Sequence, residues 1–471
     1  MAHTLTPTPD VVVAEAVELC SRLIRFDTSN FGGGNARGER AAAEWVAERL
    51  SDAGYLPEVF EAAPGRASTV ARIPGVDRLA PALVVHGHLD VVPAEAADWS
   101  VDPFGGEVRD GAVWGRGALD MKDMDAMMLA VVRAWAREEF VPPRDIVLAF
   151  VADEEDRGDL GSGFLVAEHP DLFEGVRTAI GESGGHSVHL PDGTRLYPVA
   201  TAERGSAWID LTAVGPAGHG SLRHPANAVA RLARAVARVA DHEWPPHLIP
   251  PTSVLLDGLS AHLGVAIDPT DPASLAQLGE AASLVTSTLA NSVNPTMLSA
   301  GYKHNVVPGS ATAGIDGRIL PGAEDEFFEA LDALLGEGIS RAFVNFSPPV
   351  AAGDHHGEYA AMADALRAHD PAALVLPYCM AGGTDAKAFA RLGIDCYGFV
   401  PGRTPPGFPS DSYVHGVDER VLVDSLAFGV GVLDTYLRTA PAPAPAPAQA
   451  PAPLDQSRNQ QSRTHQRRDR P

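Results

Sequence analysis

Two short apolar runs, residues 83–88 and 146–152, show no alternation with polar residues. They read as strands buried on both faces of a parallel sheet. Between them, residues 122–137 repeat apolar side chains at helical spacing, and Met124, Met127 and Met128 read as core filler. Near the N-terminus, Thr8-Pro9 predicts a helix start with Pro9 at the first helical position. Val13, Val17, Cys20 and Ile24 then share one face, while Glu18 and Arg22 pair outside. A second helix is expected from about residue 39 to 53, closed by Gly54. Strands alternating with helices imply an α/β layer, whose sites lie at the carboxyl ends of the strands.

The texture changes near Thr201. Residues 207–214 alternate apolar and polar positions, as a half-exposed antiparallel strand does. A helix over 227–240, strands near 296–302 and 311–319, a helix over 325–335 and a strand over 341–346 follow. That βαββαβ order predicts a small α+β unit inserted into the first one. The partly proline-rich stretch 244–291 falls within it, and α/β texture returns after about Pro349. The expected organisation is a first catalytic part over 1–200, an inserted unit over 201–349, a second catalytic part over 350–439 and a tail over 440–471. The tail is an alternating Pro-Ala run followed by a segment with five arginines and two aspartates, a composition expected to stay disordered.

A chain of 471 residues exceeds one ordinary domain core, so two domains are expected. Its formal charge of −25 argues against binding to nucleic acid or to an anionic membrane surface. The acidity also serves solubility. Cys20, Cys379 and Cys396 form no CxxC pair and no even framework, which fits a reducing cytoplasm. The N-terminal residues lack a secretory pattern, and no run of about 18 apolar residues could span a membrane.

The candidate chemistry begins where the first buried run ends, in LVVHGHLD over residues 83–90. His88 can ligate a metal while Asp90, two residues on, orients a ligand or braces the site. Alone, this could equally be a polar strand end. Four further segments follow: GRGALDMK with Asp120, ADEED with Glu154 and Glu155, IGESGG with Glu182, and YVHGVDER with His415 just before an expected helix. Asp120, after its glycines, could bridge two ions with its two oxygens or could sit in a surface loop. Adjacent Glu154 and Glu155 point in different directions at a strand end, so one can bind metal while the other stays free as a base. A solvated acidic turn is the plain alternative for that pair, and a structural role is the alternative for a lone His415. Together the five segments supply two histidines and several carboxylates, a donor set for a two-metal hydrolytic site.

With these motifs the chain resembles the dinuclear-zinc metallopeptidases and amidohydrolases that include aminoacylase, glutamate carboxypeptidase, acetylornithine deacetylase and succinyl-diaminopimelate desuccinylase. The resemblance runs from about Val11 to Leu437. It implies a zinc-peptidase-like α/β catalytic domain with a mixed, largely parallel sheet and an inserted α+β lid, through which such proteins usually form homodimers. It implies two zinc ions per subunit, with cobalt or manganese as possible substitutes. His88 and Glu182 then ligate the first ion, Glu155 and His415 the second, and Asp120 bridges them. Asp90 is a second-shell partner of His88, and Glu154 is the general base. His219, in GPAGHGS, supports the oxyanion from the partner subunit; a plain turn histidine is the alternative. Asn305 occupies a substrate-contact position. Arg318 can clamp a substrate carboxylate with its fork or form a strand-edge salt bridge. Gly383 and Thr384, in GGTDAK, lie beside the substrate carboxylate. Three features depart from the family pattern: Asp123 stands where a small residue is usual and adds negative charge, Glu182 replaces Asp, as in the aminoacylase branch, and the stretch 244–291 is longer than the minimal lid.

The resemblance implies hydrolysis of an amide or peptide bond in a small carboxylate-bearing substrate, an N-acyl amino acid or a short peptide. The alternatives are a desuccinylase or deacetylase of amino-acid biosynthesis, or a non-catalytic metal-binding protein with the same fold.

Overall fold

The computed structural model describes residues 9–353 and 357–439. Thr8 and the tail expected from residue 440 lie outside the described residues. A ten-stranded sheet organises the chain, in the order Glu58–Ala63, Arg66–Ile73, Ile146–Val151, Ala82–His88, Val176–Gly181, Asp395–Gly398, Arg195–Glu203 and Val350–Ala351. Leu374–Met380 also runs parallel to Arg195–Glu203, and Val188–His189 pairs with it antiparallel.

The centre of this sheet explains the unbroken apolar runs. Ala82–His88 lies between Ile146–Val151 and Val176–Gly181 and is parallel to both. Every residue of Ala82–His88 and of Ile146–Val151 is buried. Leu83, Val85, Ile146, Leu148 and Phe150 face one core, shared with the helices Asp10–Ile24, Lys122–Glu138 and Val423–Leu437. Val84, Val147, Ala149 and Val151 face another, with Leu165, Val166 and Phe389. Two cores, one on each face, demand apolar residues at every position. Met124, Met127 and Met128 are buried in the first core, as core filler should be.

The first helix differs from its expected face. It runs Asp10–Ile24 with Pro9 as its N-terminal cap residue, outside the helix. Val12, Ala16, Leu19 and Leu23 are buried along with Cys20 and Ile24, whereas Val13 and Val17 are only half-buried. The helix packs against two others at once, Lys122–Glu138 and Val423–Leu437, so its buried stripe is wider than one heptad face. In place of the expected pair of Glu18 with Arg22, Arg22 lies over the Phe26 ring, and Glu15 pairs with Arg133 and Arg137, each at 2.7 Å.

A second, four-stranded antiparallel sheet has the order Ser292–Ala300, Ser310–Ile319, Gly205–Val214, Ile339–Ser347. The helices Ala228–Ala240 and Glu324–Leu335 cover one face. Asn227 caps the first of these by accepting the Ala230 N–H at 3.1 Å. Strand Gly205–Val214 alternates because it has one core, not two. Ala207, Ile209, Leu211 and Ala213 point inward, while Trp208, Asp210 and Val214 are exposed. With the helices of residues 250–286 set aside, the major elements follow the order βαββαβ.

Those helices are the main correction to the expected organisation. Only Trp244 joins the core of the second sheet, stacked on Phe327 with ring centroids 4.9 Å apart. Leu255, Leu256, Leu259, Leu275, Leu278 and Val285 pack instead with Leu190, Leu196, Ala200 and Tyr378 of the main sheet. The stretch 244–291, expected to belong to the inserted unit, therefore leaves it and covers the strands Arg195–Glu203 and Leu374–Met380. Its longest helix, Pro250–Leu263, has no pronounced apolar face and the others span only one or two turns, so none carries a pattern that says which sheet it serves.

Candidate metal centre

Three neighbouring parallel strands end side by side. Beyond their carboxyl ends lie Asp90, Glu154 with Glu155, and Glu182, and the central strand ends in His88 itself. This is where open α/β sheets place their sites. The His88 Nδ1 lies 2.9 Å from the main-chain oxygen of Asp90, the geometry of a donated N–H. That hydrogen bond places a proton on Nδ1 and leaves Nε2 to face the neighbouring carboxylates. Nε2 lies 2.9 Å from Asp120 Oδ1 and 4.0 Å from Glu182 Oε2. On the other side of Asp120, Oδ2 lies 3.0 Å from His415 Nε2, which is itself 3.2 Å from Glu155 Oε2. Asp120 thus sits between two groups of donors, one oxygen turned to each.

The Asp90 carboxylate serves a different partner from the one expected. It lies 3.8 Å from His88 Nδ1, farther than the main-chain oxygen. Its oxygens instead accept the main-chain N–H groups of Glu154 and Glu155, each at 3.1 Å, and the Asn30 amide at 2.9 Å. Fully buried Asp90 therefore braces the paired glutamates.

The loop carrying Asp120 is held from the far end of the chain. The buried Glu419 carboxylate accepts the main-chain N–H groups of Gly117, Leu119 and Asp120 at 3.0, 2.7 and 3.2 Å. It also pairs with Arg116 at 2.6 Å, and Arg116 donates to the main-chain oxygens of His415 and Gly416. One clasp thus positions both Asp120 and His415. His415 does not directly precede a helix, as the motif suggested. It follows the short helix Ser410–Tyr413, adopts a left-handed φ of 59°, and leads into the strand Arg420–Leu422. Neither Asn30 nor the Arg116–Glu419 pair was singled out from sequence. Arg116 and Glu419 did stand inside the quoted motifs as charged residues without a role, which was the available signal.

The electrostatics are those of crowded carboxylates. Burial pushes Glu154 and Glu182 well above the usual carboxylate range, reinforced for Glu154 by Glu182 and for Glu182 by Asp120. Burial also raises Glu155, opposed by its hydrogen bond to His415. Burial would raise Asp120 too, but its hydrogen bonds with His415 and His88 prevail and hold it low. Hydrogen bonds to Asp120 and Glu155 lift His415 to about 10. Such a cluster calls for added positive charge. The donor atoms of His88, Asp120 and Glu155, and those of His88, Glu154 and Glu182, each lie within 4.8 Å of one another, so the residues fit divalent cations. Asp123 lines the same cavity but is buried, and burial, with Glu419 and Asp120 adding to it, raises its carboxyl well above the usual range. That works against the extra negative charge expected there.

The remaining candidates divide. Arg318 and Gly383 line the cavity of about 660 Å³ that opens over Asp120, Glu154, Glu155, Glu182 and His415. The Arg318 fork is engaged by Asp316, at 2.9 Å from Nε and 3.0 Å from Nη2. Thr384 turns inward, its hydroxyl donating to Glu203 at 2.6 Å. His219 and Asn305 are not among the described residues lining that cavity. They sit together on the ribbon of Gly218–His219 and Val306–Val307, where the Asn305 carbonyl accepts the Gly220 N–H at 2.9 Å. His219 is exposed, with Ser221 Oγ 2.8 Å from its Nδ1.

A histidine–carboxylate cluster at the strand ends of an α/β sheet defines the class of metal-dependent hydrolases. Residues 84–439 match the family described as Peptidase family M20/M25/M40, and the chain belongs to that family. It is 29% identical over 388 residues to aminoacylase-1 of Sus scrofa, covering 81% of this chain and 85% of the relative. Its fold is similar to that of an M20 family metallo-carboxypeptidase from Sulfolobus solfataricus, with a TM-score of 0.66 and 18% identity over 91% of this chain and 99% of the other. Human carnosine dipeptidase 1 is similar as well, with a TM-score of 0.63 and 16% identity over 91% and 96% of the two chains. The protein is a metal-dependent hydrolase of amide or peptide bonds. Among the described residues, no helix is long and apolar enough to cross a membrane.

Proposed function

We propose that this protein is a two-zinc hydrolase of N-acyl amino acids or short peptides that carry a free carboxylate. The observation that carries the reading is Asp120, with one oxygen 2.9 Å from His88 and the other 3.0 Å from His415. His88 and Glu182 would hold one ion and Glu155 and His415 the other, with Asp120 between them. Ions bound there polarise the scissile carbonyl and lower the pKa of a water. Glu154, half-buried in the cavity lining, takes a proton from the attacking water and returns it to the leaving nitrogen. Asp90, through the Glu154 and Glu155 N–H groups, keeps base and ligand apart in their separate directions. Arg318, once its fork leaves Asp316, and the turn of Gly383 and Thr384, with Gly383 at the cavity wall, receive the substrate carboxylate.

The four-stranded unit within residues 201–349 acts as a lid and dimerisation unit. Met297, Leu298 and Tyr302, all large, apolar and exposed, support that role. His219 would then reach the partner's centre as an oxyanion donor, which fits its exposure and its absence from the cavity of its own chain. The unpaired cysteines support a cytoplasmic setting. The likeness to aminoacylase-1 favours N-acyl amino acids over the desuccinylase alternative.

Metal analysis of the purified protein, followed by hydrolysis assays on N-acyl amino acids, dipeptides and succinyl-diaminopimelate, tests the reading. Two zinc ions per chain and turnover of the first two substrate types are expected. Turnover confined to succinyl-diaminopimelate would replace this reading with the desuccinylase one, and a metal-loaded protein that hydrolyses none of them would end it.

A further inference from the structure

The main sheet passes into the second sheet through two residues. Strand Arg195–Glu203 ends, Arg204 follows, and strand Gly205–Val214 begins. Both residues of that joint are buried and charged. Each holds one of the two elements proposed to receive the substrate carboxylate.

Glu203 holds the glycine-rich turn. One of its oxygens accepts the Thr384 hydroxyl at 2.6 Å and the other accepts the Thr384 main-chain N–H at 3.1 Å. Arg204 extends the hold, because its main-chain oxygen accepts Lys387 Nζ at 2.7 Å. The fit around the turn is close: a Cβ added at Gly383 would come within 2.2 Å of Lys387 Nζ. The Arg204 guanidinium faces the other way. It donates to the main-chain oxygen of Arg318 at 2.9 Å, to Ser292 Oγ at 2.7 Å and to the main-chain oxygen of Ser287 at 2.6 Å. Arg318 and Gly383 both line the metal cavity, and both also line the neighbouring depression with Glu154, Thr384 and Lys387.

We infer that Glu203 and Arg204 are positioning residues that fix the distance between the turn at 382–387 and Arg318, and so set recognition of a substrate carboxylate. The inference rests on the proposed carboxylate-bearing substrate. The physical argument is one of geometry. A carboxylate held from two sides is recognised only if those sides keep their spacing, and here the spacing passes through two adjacent residues of one backbone. Neither residue lines the metal cavity, so neither acts on the reacting atoms. Because the same two residues join the sheets, any movement of the second sheet carries Arg318 relative to the turn.

The test compares an N-acyl amino acid with its primary amide, which lacks the carboxylate charge. Wild-type enzyme should prefer the acid. In Glu203→Gln one acceptor for Thr384 is lost, and KM for the acid should rise about 10-fold, the scale of one hydrogen bond to a charged group. Turnover at saturation, zinc content and hydrolysis of the amide should stay near wild type. Arg204→Lys, which keeps the charge but loses the multi-point hold, should shift the same preference in the same direction and guards against a folding defect in the first variant. Preference unchanged in both variants, or a loss shared equally by acid and amide, overturns the positioning role alone. A wild-type enzyme that treats acid and amide alike overturns the substrate reading first, and this inference with it.

Discussion

The two largest sheets of this protein solve opposite problems. The central strands of the main sheet are covered on both faces, so their ends cannot move without disturbing two cores. The second sheet is covered on one face by two helices and shows Trp208, Asp210 and Val214 on the other. Most of the metal-ligand candidates stand at the ends of those strands, and only His415 among them is exposed. His88 is buried outright, and Asp90 and the Arg116–Glu419 pair stand as buried braces behind it and its neighbours. His219 and Asn305 belong to the second kind, on a two-residue ribbon. The contrast separates a preformed cluster from a group that, in its proposed role, has to be delivered. A ligand cluster needs fixed distances before any ion arrives, whereas an exposed imidazole at a sheet tip becomes useful only when another surface is brought to it.

The sharpest way to break this contrast is at Glu154, the group placed nearest the chemistry on the rigid side. Glu154→Gln should keep both metal ions and lose roughly 10,000-fold in turnover, the upper range for a general acid–base. Near-normal turnover in the metal-loaded variant would remove Glu154 from that role. Next comes His219 on the delivered side. His219→Ala should keep its metal and its melting temperature yet lose about 100- to 1000-fold in turnover, as expected for one oxyanion donor. Mixing it with Glu154→Gln subunits should restore partial activity once subunits exchange. Verified mixed dimers without recovery would show that the imidazole does not act across subunits.

A smaller effect should follow at the braces. Asn30→Ala removes the 2.9 Å hydrogen bond to Asp90 and should weaken metal binding about 10- to 100-fold, read by competition with a chelator. An unchanged affinity would mean that the paired glutamates need no such support. The smallest change is expected at Asp210, on the uncovered face of the second sheet. Asp210→Asn should shift stability by no more than about 0.5 kcal/mol. A larger loss, or a change in oligomeric state, would show that this face is covered in solution.

Much of the main sheet was legible because its strands are apolar at every position and its candidate ligands follow directly in sequence. His88, Glu154, Glu155 and Glu182 could each be found by asking what comes just after a buried run. The second sheet was legible for the complementary reason, since strict alternation in 207–214 marks a strand with a single core. The partners of these groups were not legible. The hydrogen bond from Asn30 to Asp90 spans 60 residues and that from Gly117 to Glu419 spans 302. No local pattern encodes a contact at such separations. The Asp90 carboxylate went to the wrong partner for a similar reason. Its spacing from His88 suggests a side-chain brace, but a strand end turns the nearer main-chain oxygen toward the imidazole. The helices of 250–286 were misplaced because one- or two-turn segments, and a longer helix without a pronounced apolar face, announce that they are helical or buried without announcing against what.

The clasp between Arg116 and Glu419 has a consequence for how the protein is made. A ribosome delivers His88, Asp120, Glu154, Glu155 and Glu182 long before it delivers His415 and Glu419. Until those last residues emerge, the loop of Asp120 lacks the carboxylate that gathers its N–H groups, and the proposed second ion lacks its histidine. A growing chain can therefore build most of the main sheet while its hydrolytic centre stays unfinished. Completion waits for the segment that closes the fold, so the proposed centre cannot assemble until residues 415–419 have been made.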